Sequence, residues 1–366
     1  MARDHDLASG SHAFAAGAVA GASAAGDAPP AIAEAAGADA LSDVLEAVRL
    51  TGALFFIVDA AEPWIAEAPD SSTLAPVILP RVQHVVSYHV VTGGTCWCHM
   101  QGLAPVRLDA GDIVVVPHGD AYQLSSHPAP GSSGLSRAQI LEWFQLMAAG
   151  QLPFVVEEGG DLPQRLQVIC GFLGCDALPF NPVLATLPRL LPLRPAAASG
   201  RDRLATLVEF AVGEAQEQRA GRRSILLRLS ELMFVEVVRR YLTTVPQAQR
   251  GWLAGLRDPL VGRALAQLHR APARSWTIEE LAREVASSRS VLTERFTHLV
   301  GEPPMHYLAR WRIHLAATRL AGNGAKVSAV AREVGYDSDA AFSRAFKKLT
   351  GVAPAAWRHR PAAAQH

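Results

Sequence analysis

LAREVASSRSVLTERFTHLVGEPP, at residues 281–304, is followed by a related stretch, VAREVGYDSDAAFSRAFKKLTGVAP, at residues 330–354. The offset is 49 residues up to Val285 and Val334, and 50 residues beyond a one-residue insertion in the second copy. The matched positions carry residues with clear structural roles: Ala282/Ala331, Glu284/Glu333, Ser288/Ser338, Phe296/Phe346, Gly301/Gly351 and Pro304/Pro354. The repeat therefore predicts two copies of one small structural unit.

Each copy predicts a helix, a short turn and a second helix. In the first copy Thr277 precedes Glu280 by three residues, which is the spacing of a capping box at a helix start. The second helix of each copy lies between a serine that can cap its start and a glycine that can end it: Ser288 and Gly301, then Ser338 and Gly351. A helix-turn-helix unit places the start of its second helix in the major groove of DNA.

Charge separates the chain into two parts. The 366 residues have zero net charge, but residues 250–366 hold 18 Lys and Arg against 9 Asp and Glu. A basic part of this kind is typical of nucleic-acid binding. The alternative, an all-helical bundle with no DNA role, explains neither the charge nor the repeat.

The residues predicted to face DNA are the outward positions at the start of each second helix: Arg289, Ser290, Val291, Thr293 and Glu294 in the first unit, and Asp339, Ala340, Ser343, Arg344 and Lys347 in the second. Arginine suits guanine O6 and N7, and small apolar side chains suit the thymine methyl group. On the helix between the units we expect Arg310, Arg312 and Arg319 to contact phosphate.

Residues 259–360 resemble the DNA-binding domain of the AraC/XylS family of bacterial regulators, most specifically in GYDSDAAFSRAFKKLTGVAPAAWR at 335–358. The resemblance implies a seven-helix domain with two helix-turn-helix units. It also implies which residues contact bases: Ser290, Val291, Thr293 and Glu294 in the first unit, and Asp339, Ala340, Ser343 and Arg344 in the second. Glu294 stands where that family often has a basic residue, and it suits an acceptor role toward cytosine N4.

The preceding part of the chain predicts strands and then helices. Residues 1–39 are rich in Ala and Gly and are predicted to be disordered. Residues 40–185 carry short β-like runs separated by turn residues, which favours an antiparallel barrel or sandwich. Residues 186–245 predict amphipathic helices that pack on the barrel or form a dimer, and residues 246–258 predict a linker. The expected fold class is α+β.

GDIVVVPHGDAY, at 111–122, is similar to the second motif of cupin barrels, except that Tyr122 stands where a metal-binding histidine is usual. This region resembles the cupin-type sensor domain of one branch of AraC-like regulators. The altered motif argues against a metal-dependent cupin enzyme joined to a DNA-binding module, which is the alternative function. Such an enzyme would hold a redox-active metal at His89 and His118.

Two kinds of sensor site are predicted. The first is an apolar pocket for a small effector, and the alternative is that its aromatic residues are simply core: Phe56, Trp64, Trp97 and Tyr122. The second would bind zinc or sense oxidants through thiolates and imidazoles: His89, His118, Cys170 and Cys175. For these cysteines the alternative is burial as inert thiols.

The sequence as a whole predicts a transcription regulator rather than an enzyme. Expected partners are double-stranded promoter DNA, RNA polymerase, a small-molecule or redox effector and a second copy of the chain. With four cysteines, no apolar run of 18 residues and no convincing signal peptide, a cytoplasmic location is expected. An architectural DNA-binding protein without a sensor role is a further alternative.

Overall fold

The computed structural model describes residues 40–47, 50–80, 82, 84–153, 155–175, 180–194, 202–217, 219–244, 250–321 and 325–358. The predicted disordered segment, 1–39, lies outside the described residues. The strands are β1 Leu50–Ala61, β2 Ile65–Ala68, β3 His84–Gly93, β4 Thr95–Met100, β5 Val106–Asp109, β6 Ile113–Val116, β7 Tyr122–Ser125, β8 Val155–Gly159, β9 Arg165–Cys175 and β10 Leu191–Leu193.

The helices are divided between the two parts of the chain. The first six belong to the amino-terminal part: α1 Ala40–Ala47, α2 Ser71–Ile78, α3 Arg137–Ala148, α4 Pro182–Thr186, α5 Arg203–Gln216 and α6 Arg222–Thr244. The others follow: α7 Trp252–Arg257, α8 Pro259–Arg270, α9 Ile278–Glu284, α10 Arg289–Val300, α11 Pro304–Ala321, α12 Val327–Glu333, α13 Asp339–Thr350 and α14 Pro354–Arg358. The α+β prediction is confirmed.

The strands form two sheets, one with the order β10-β6-β3-β9-β1-β8 and one with the order β2-β7-β4-β5. Neighbouring strands are antiparallel apart from β1 and β8, which run parallel and are separated in the chain by the whole of the second sheet. The short runs β2, β7 and β10 are strands that the sequence pattern did not predict. Residues 191–193 therefore depart from the helical prediction for 186–245.

Both faces of the six-stranded sheet are buried. Along β3, Val85 and Val91 point into the space between the sheets, whereas Val86 and Val90 point to the opposite face. This alternation follows from the period of two in a strand. The opposite face is covered by α5 and α6. Packing on the strands was one of the two arrangements predicted for the helices of residues 186–245.

Tyr88 joins the sheet to α6. Its ring lies so close over Gly171 on β9 that a Cβ there would be 1.9 Å from the Tyr88 Cζ atom. Its hydroxyl group is hydrogen-bonded to Ser230 on α6 at 3.0 Å. A glycine at position 171 is what allows the tyrosine to reach the helix.

The helical part contains two separate cores. The core on the outer face of the six-stranded sheet continues through α7 and α8 to Tyr307 and Trp311 in the first half of α11. A second core begins at Ile313 and contains Phe342, Phe346 and Trp357. The first helix-turn-helix unit therefore shares a core with the amino-terminal domain, while the second unit has its own.

The segment predicted as a linker, 246–258, contains a helix within its described residues. Helix α7 buries Trp252 and Leu253 in the shared core. Asp258 caps the following helix, since its carboxylate accepts from the backbone N–H groups of Leu260 and Val261 at 3.0 Å each. This part of the chain is packed structure.

Candidate DNA-binding interface and sensor core

Helices α9 and α10 form the first helix-turn-helix unit. The Thr277 hydroxyl accepts from the Glu280 backbone N–H at 3.1 Å, and the Thr277 N–H donates to the Glu280 carboxylate at 3.0 Å, which completes the predicted capping box. Ser288 caps α10 by accepting from Val291 N–H at 3.3 Å. Between the helices, Ala286 has a φ angle of 53°, in the left-handed region that glycine adopts more easily.

The predicted contact positions of the first unit lie at the exposed start of α10. Val291 is 50% exposed, Ser290 and Glu294 are also exposed, and Thr293 is half-buried. Arg289 forms an ion pair with Glu279 at 2.9 Å, but 70% of its side chain is exposed. A surface pair of this kind contributes little stability, so the guanidinium can exchange Glu279 for DNA.

Helices α12 and α13 form the second unit in the same way. Ser338 caps α13 through the Ala341 N–H at 3.4 Å, and Phe342 and Phe346 are fully buried on its inner face. The predicted contact positions are on the opposite face: Asp339, Ala340, Arg344 and Lys347 are exposed, and Ser343 is half-buried. Within the described residues, neither Arg344 nor Lys347 has an ion-pair partner, so both charges are available to a ligand.

The two units are joined by Arg312, in the middle of α11. Its guanidinium donates to the carbonyl oxygens of Pro272 at 2.7 Å and Arg274 at 2.7 Å, before the first unit, and of Gly335 at 3.0 Å, in the turn of the second. A Cβ at Gly335 would be 2.6 Å from the Ala273 carbonyl oxygen, so the turn packs directly on this loop. Arg312 therefore holds the units together instead of contacting phosphate.

The other two arginines predicted to contact phosphate also have partners within the chain. Arg310 donates to Glu302 at 3.1 Å, and its guanidinium carbon lies 4.0 Å from the ring centroid of Phe180. Arg319 pairs with Glu333, although about half of each side chain is exposed. Of the three, Arg319 is the one that stays accessible enough to reach DNA.

Phe180 lies where the amino-terminal domain meets the first unit. Its ring packs edge-to-face on Tyr307, with centroids 5.7 Å apart. The Tyr307 hydroxyl accepts from the Trp252 indole N–H at 2.8 Å and lies 2.7 Å from Nε2 of His269. Nδ1 of His269 lies 3.6 Å from the Asp43 carboxylate on α1. Burial lowers the pKa of His269, and Asp43 partly offsets this effect.

A neutral His269 fits this arrangement: the Tyr307 hydroxyl donates to Nε2, while the Nδ1–H group faces Asp43. Nothing in the sequence pattern indicated this junction, because its residues come from four separate helices and from the loop before α4. From the sequence alone, His269 and Tyr307 look like ordinary core residues of two amphipathic helices, and only the fold shows that they form a hydrogen bond.

Three of the four aromatic residues predicted to line an effector pocket are brought together. Phe56, Trp64 and Tyr122 belong to one buried cluster between the two sheets. Trp97 does not: it is half-buried on β4 between Cys96 and Cys98, which point inward, so its side chain points to the other face. The cluster is completed by residues that the sequence pattern did not indicate, with Phe172 stacked on Phe56 at 6.0 Å.

Helix α3 closes this cluster from outside. Phe144 packs edge-to-face on Phe172 at 5.6 Å, and Trp143 packs in the same way on Phe56 at 5.4 Å. Ser136 caps α3 in a capping box with Gln139. That S-x-x-Q spacing is the signal that could have identified this helix in the sequence.

His89 is buried at the centre of the sandwich and joins two other predicted residues. Nδ1 lies 3.1 Å from the Cys170 Sγ atom, and Nε2 lies 2.5 Å from the Tyr122 hydroxyl oxygen. Burial lowers the pKa of His89 to about 3, so the ring is neutral at physiological pH. It therefore donates through one nitrogen and accepts through the other.

The four residues named for zinc do not converge. Cys170 and Cys175 are five positions apart on β9, so they point to opposite faces of the sheet, Cys170 into the sandwich and Cys175 toward the helices. His118 is exposed, with Nε2 2.8 Å from the Leu187 carbonyl oxygen. Among the described residues, no group of three or more His, Cys, Asp or Glu side chains could hold a metal ion.

Three of the cysteines, Cys96, Cys98 and Cys170, lack the environment of a reactive thiol. All four are buried, and burial raises the pKa of both Cys96 and Cys98 to about 12. Burial also raises the pKa of Cys170 well above its usual range. The thiolate is the form that reacts with oxidants and binds metals, so these three protonated thiols are poorly suited to either role.

A small apolar cavity lies on the other face of the sheet, beneath α5 and α6. It is lined by apolar side chains that include Val86, Leu204, Met233 and Val237. None of the four aromatic residues predicted for a pocket lines it. No helix in the described parts of the chain is long and apolar enough to span a membrane.

Comparison with known proteins agrees with this architecture. A cupin family matches residues 39–243, so the match extends through α6, and a helix-turn-helix domain family matches residues 281–360. A Streptomyces lividans protein named a putative AraC-like transcription regulator is 34% identical over 76% of this chain and 88% of its own length. The regulator AlkR of Acinetobacter baylyi is 26% identical over 88% of this chain and 99% of its own.

Among solved structures, the DNA-binding domain of the global transcriptional factor AdpA, determined with a target DNA, is 30% identical over 28% of this chain and 90% of that one, with a TM-score of 0.27. A cupin domain followed by two helix-turn-helix units defines a DNA-binding transcription regulator. The chain belongs to the AraC-like family of transcription regulators. This membership confirms the expectation of a regulator rather than an enzyme.

Proposed function

We propose that this regulator is a one-component switch, in which the cupin-type domain binds a small-molecule effector and thereby changes how the two recognition helices engage promoter DNA. The observation that carries the proposal is the shared core, which continues from the sheet to Tyr307 and Trp311 of the first unit. A densely packed core transmits small displacements. A displacement of the six-stranded sheet relative to α5 and α6 therefore alters the position of this unit.

A small molecule is favoured over an oxidant as the signal. Burial raises the pKa values of Cys96, Cys98 and Cys170, which keeps these thiols protonated and unreactive. The buried cluster around Phe56, with its aromatic rings, favours an effector that is largely apolar. Both ring nitrogens of His89 already have partners, so the polar group left for such a molecule is the Tyr122 hydroxyl oxygen, which can accept one more hydrogen bond.

On the DNA side, we propose that α10 and α13 enter successive turns of the major groove. Arg344 is suited to guanine, Val291 and Ala340 to thymine methyl groups, and Lys347 to phosphate. The regulator acts in the cytoplasm as a homodimer and contacts RNA polymerase at the promoters that it controls. Because phosphate contacts supply much of the affinity, binding decreases steeply as salt increases.

Chromatin mapping in the source bacterium, combined with expression profiling of a deletion strain, tests this proposal. The wild-type chain should occupy a limited set of promoters whose genes change expression in the deletion strain. The double variant Arg344→Ala, Lys347→Ala should lose these sites, whereas Arg137→Ala, an exposed arginine on α3, should keep them. Occupancy spread evenly over the chromosome would instead indicate an architectural DNA-binding protein.

A salt titration on one mapped promoter separates the contributions to binding. The logarithm of the association constant should fall linearly with the logarithm of the salt concentration for the promoter and for a random duplex. The promoter should keep an advantage of about 10³-fold or more over the random duplex. Equal affinities for the two duplexes would exclude sequence-specific recognition.

A further inference from the structure

We propose that Asp258 is a positioning residue for the first recognition helix, and that it acts through Arg295 to set the orientation in which α10 enters the major groove. The inference rests on the proposed function, because it requires that α10 contacts bases. It adds the residue that holds this helix and a difference between the two helix-turn-helix units.

The carboxylate of Asp258 joins the start of α8 to α10. One oxygen accepts from the backbone N–H groups of Leu260 and Val261 at 3.0 Å each, and the other accepts from Nε and Nη2 of Arg295 at 2.8 Å and 2.6 Å. The Asp258 side chain is only 8% exposed. Burial raises its pKa, but the hydrogen bonds from Arg295, Val261 and Leu260 outweigh burial and lower the pKa below its usual value, so the carboxylate is ionised. Hydrogen bonds between charged groups are stronger than neutral ones, and these fix two helices to one carboxylate.

Helix α7 lies along the second half of α10. The Gly251 N–H donates to the carbonyl oxygen of Leu299 at 2.7 Å, and a Cβ at Gly255 would be 3.0 Å from a methyl carbon of Val300. The Asp258 N–H donates to the Gly255 carbonyl oxygen at 3.2 Å, so Asp258 closes α7 as well as starting α8. The recognition helix is therefore held at two levels: α7 contacts its last turn, and Asp258 holds it about one turn earlier.

Helix α7 is itself packed on the amino-terminal domain. A Cβ at Gly251 would be 2.5 Å from Cγ2 of Thr186 on α4, so α7 and α4 are in direct contact. Trp252 and Leu253 are buried in the core that continues to the six-stranded sheet. Packed side chains have little free space in which to shift. Asp258 is therefore fixed relative to the cupin-type domain, and it holds α10 in the same frame.

The matched position of the second unit carries no basic side chain. Fifty residues after Arg295 stands Ala345, which packs against the second core. An alanine side chain cannot bind a carboxylate, so the position of α13 depends on its own apolar face and on the connection through Arg312. The role of Asp258 is therefore confined to one of the two recognition helices, and this asymmetry gives the inference a specific test.

A scan of single base-pair substitutions in one mapped promoter tests this role in the full-length chain. The wild type should show two groups of sensitive base pairs, at which each substitution lowers the affinity by about 5–150-fold. The group whose penalties disappear in Arg344→Ala belongs to α13. In Asp258→Asn the penalties in the other group should shrink by about threefold or more, while those in the α13 group stay unchanged. Asparagine caps a helix as well as aspartate does, so this substitution removes the charge and keeps the cap.

Two further comparisons test the pair itself. Asp70→Asn is the matched control, because Asp70 also caps a helix, α2, and faces an arginine of another helix, Arg137 on α3, at 3.9 Å. It should leave the penalties of both groups as in the wild type. Arg295→Gln should reproduce the effect of Asp258→Asn without changing the salt slope. The double variant should bind within about twofold of either single variant, because both changes remove the same interaction.

The outcomes separate the inference from the proposed function. A wild type without sensitive base pairs overturns both. If two groups are present, equal shrinkage of both groups in Asp258→Asn, or no shrinkage, overturns the positioning role alone, as do affinity losses that multiply in the double variant. A salt slope reduced by about one in Arg295→Gln would show that Arg295 contacts phosphate instead. A variant that is merely less stable has a smaller active fraction, which lowers the apparent affinity for every duplex alike and leaves the penalties unchanged.

Discussion

The guanidinium of Arg312 donates to the carbonyl oxygen of Gly335 at 3.0 Å, and so connects the helix between the two units to the turn of the second unit. The same side chain also donates to the carbonyls of Pro272 and Arg274 beside the first unit. Because guanidinium is planar and presents several donors at fixed angles, one residue satisfies three carbonyl oxygens of two separate loops. The distance between the recognition helices is thereby fixed.

Arg312→Lys should loosen this connection, since an ammonium group cannot reach all three carbonyls. We expect the unfolding free energy to fall by about 1.5–3 kcal/mol, the range for a hydrogen bond to a charged group. Operators with base pairs inserted between the two contact segments should also be tolerated better than by the wild type. Urea unfolding and gel-shift titrations measure the two effects. Arg319→Lys is the control, because its partner Glu333 lies on the surface, and it should change neither quantity. If inserted base pairs reduced the affinity of both variants equally, the proposed role of Arg312 would be refuted.

Ala286→Gly should stabilise the first unit. Ala286 occupies the turn position that corresponds to Gly335 in the second unit, and its φ of 53° is unfavourable for a residue with a Cβ. The gain should be about 0.5–1 kcal/mol, because the greater chain entropy of glycine in the unfolded state offsets part of the relief. Chemical denaturation measures it. Gly335→Ala provides the reverse comparison and should be strongly destabilising, since its Cβ would collide with Ala273; a stabilising effect there would contradict the packing described.

Arg344→Ala should weaken binding to a specific promoter by about 1–3 kcal/mol more than binding to a random duplex, because an arginine that contacts a guanine edge supplies discrimination as well as affinity. Lys347→Ala should weaken both by similar amounts and reduce the salt slope by about one. Fluorescence anisotropy on both duplexes at several salt concentrations gives these values. If Arg344→Ala reduced both affinities equally, its contact would be with phosphate.

Phe180→Ala should uncouple the cupin-type domain from the first helix-turn-helix unit. It removes the edge contact with Tyr307 and the surface over which Arg310 stacks, at a cost of about 3–5 kcal/mol for a buried phenylalanine. Amide hydrogen exchange should show faster exchange at α7 and α8, while α12 and α13, which belong to the separate core, remain as in the wild type. Phe180→Leu keeps most of the apolar volume and should show a smaller change. Uniform acceleration over both units would contradict the existence of two cores.

His89→Gln should reduce the sensitivity of the fold to acid. Burial lowers the pKa of His89 to about 3, whereas an unfolded histidine titrates near 6.5. Between these values the unfolded chain binds one more proton than the folded chain, so stability is lost as the pH falls from about 6.5 toward 3, by about 1.4 kcal/mol per pH unit. His314, whose pKa burial lowers to about 4, adds to the same loss.

Urea unfolding at pH 6.0, 5.0 and 4.5 measures this slope. Relative to the wild type, His89→Gln should remove the contribution of one proton. An unchanged slope for His89→Gln would mean that the ring is not held neutral inside the sandwich.

Much of the carboxyl-terminal domain could be predicted from the sequence because its signals are local. Caps, turns and inward faces lie within a few residues of one another, and the repeat presents them twice, so both helix-turn-helix units follow from short-range physics. The outward positions from Arg289 to Glu294 and from Asp339 to Lys347 could be predicted in the same way. Once the apolar face of a helix is assigned to the core, the opposite face is the one exposed to solvent. The strands β3, β6 and β9 were predictable from their apolar runs for the same reason.

The separation of Cys170 from Cys175 was also within reach of the sequence, because two residues five positions apart in one strand point to opposite faces. Other features depend on contacts between distant segments and were decided by tertiary structure alone. Arg312 could not be distinguished from a phosphate-binding arginine until Pro272 and Gly335 were placed beside it, and Trp97 could not be separated from Phe56 before the two sheets were known. The sequence by itself determined that the chain has a cupin-like domain and two DNA-binding units. Only the packing decided that the first unit shares the core of the cupin-type domain while the second does not, since that depends on which apolar faces meet.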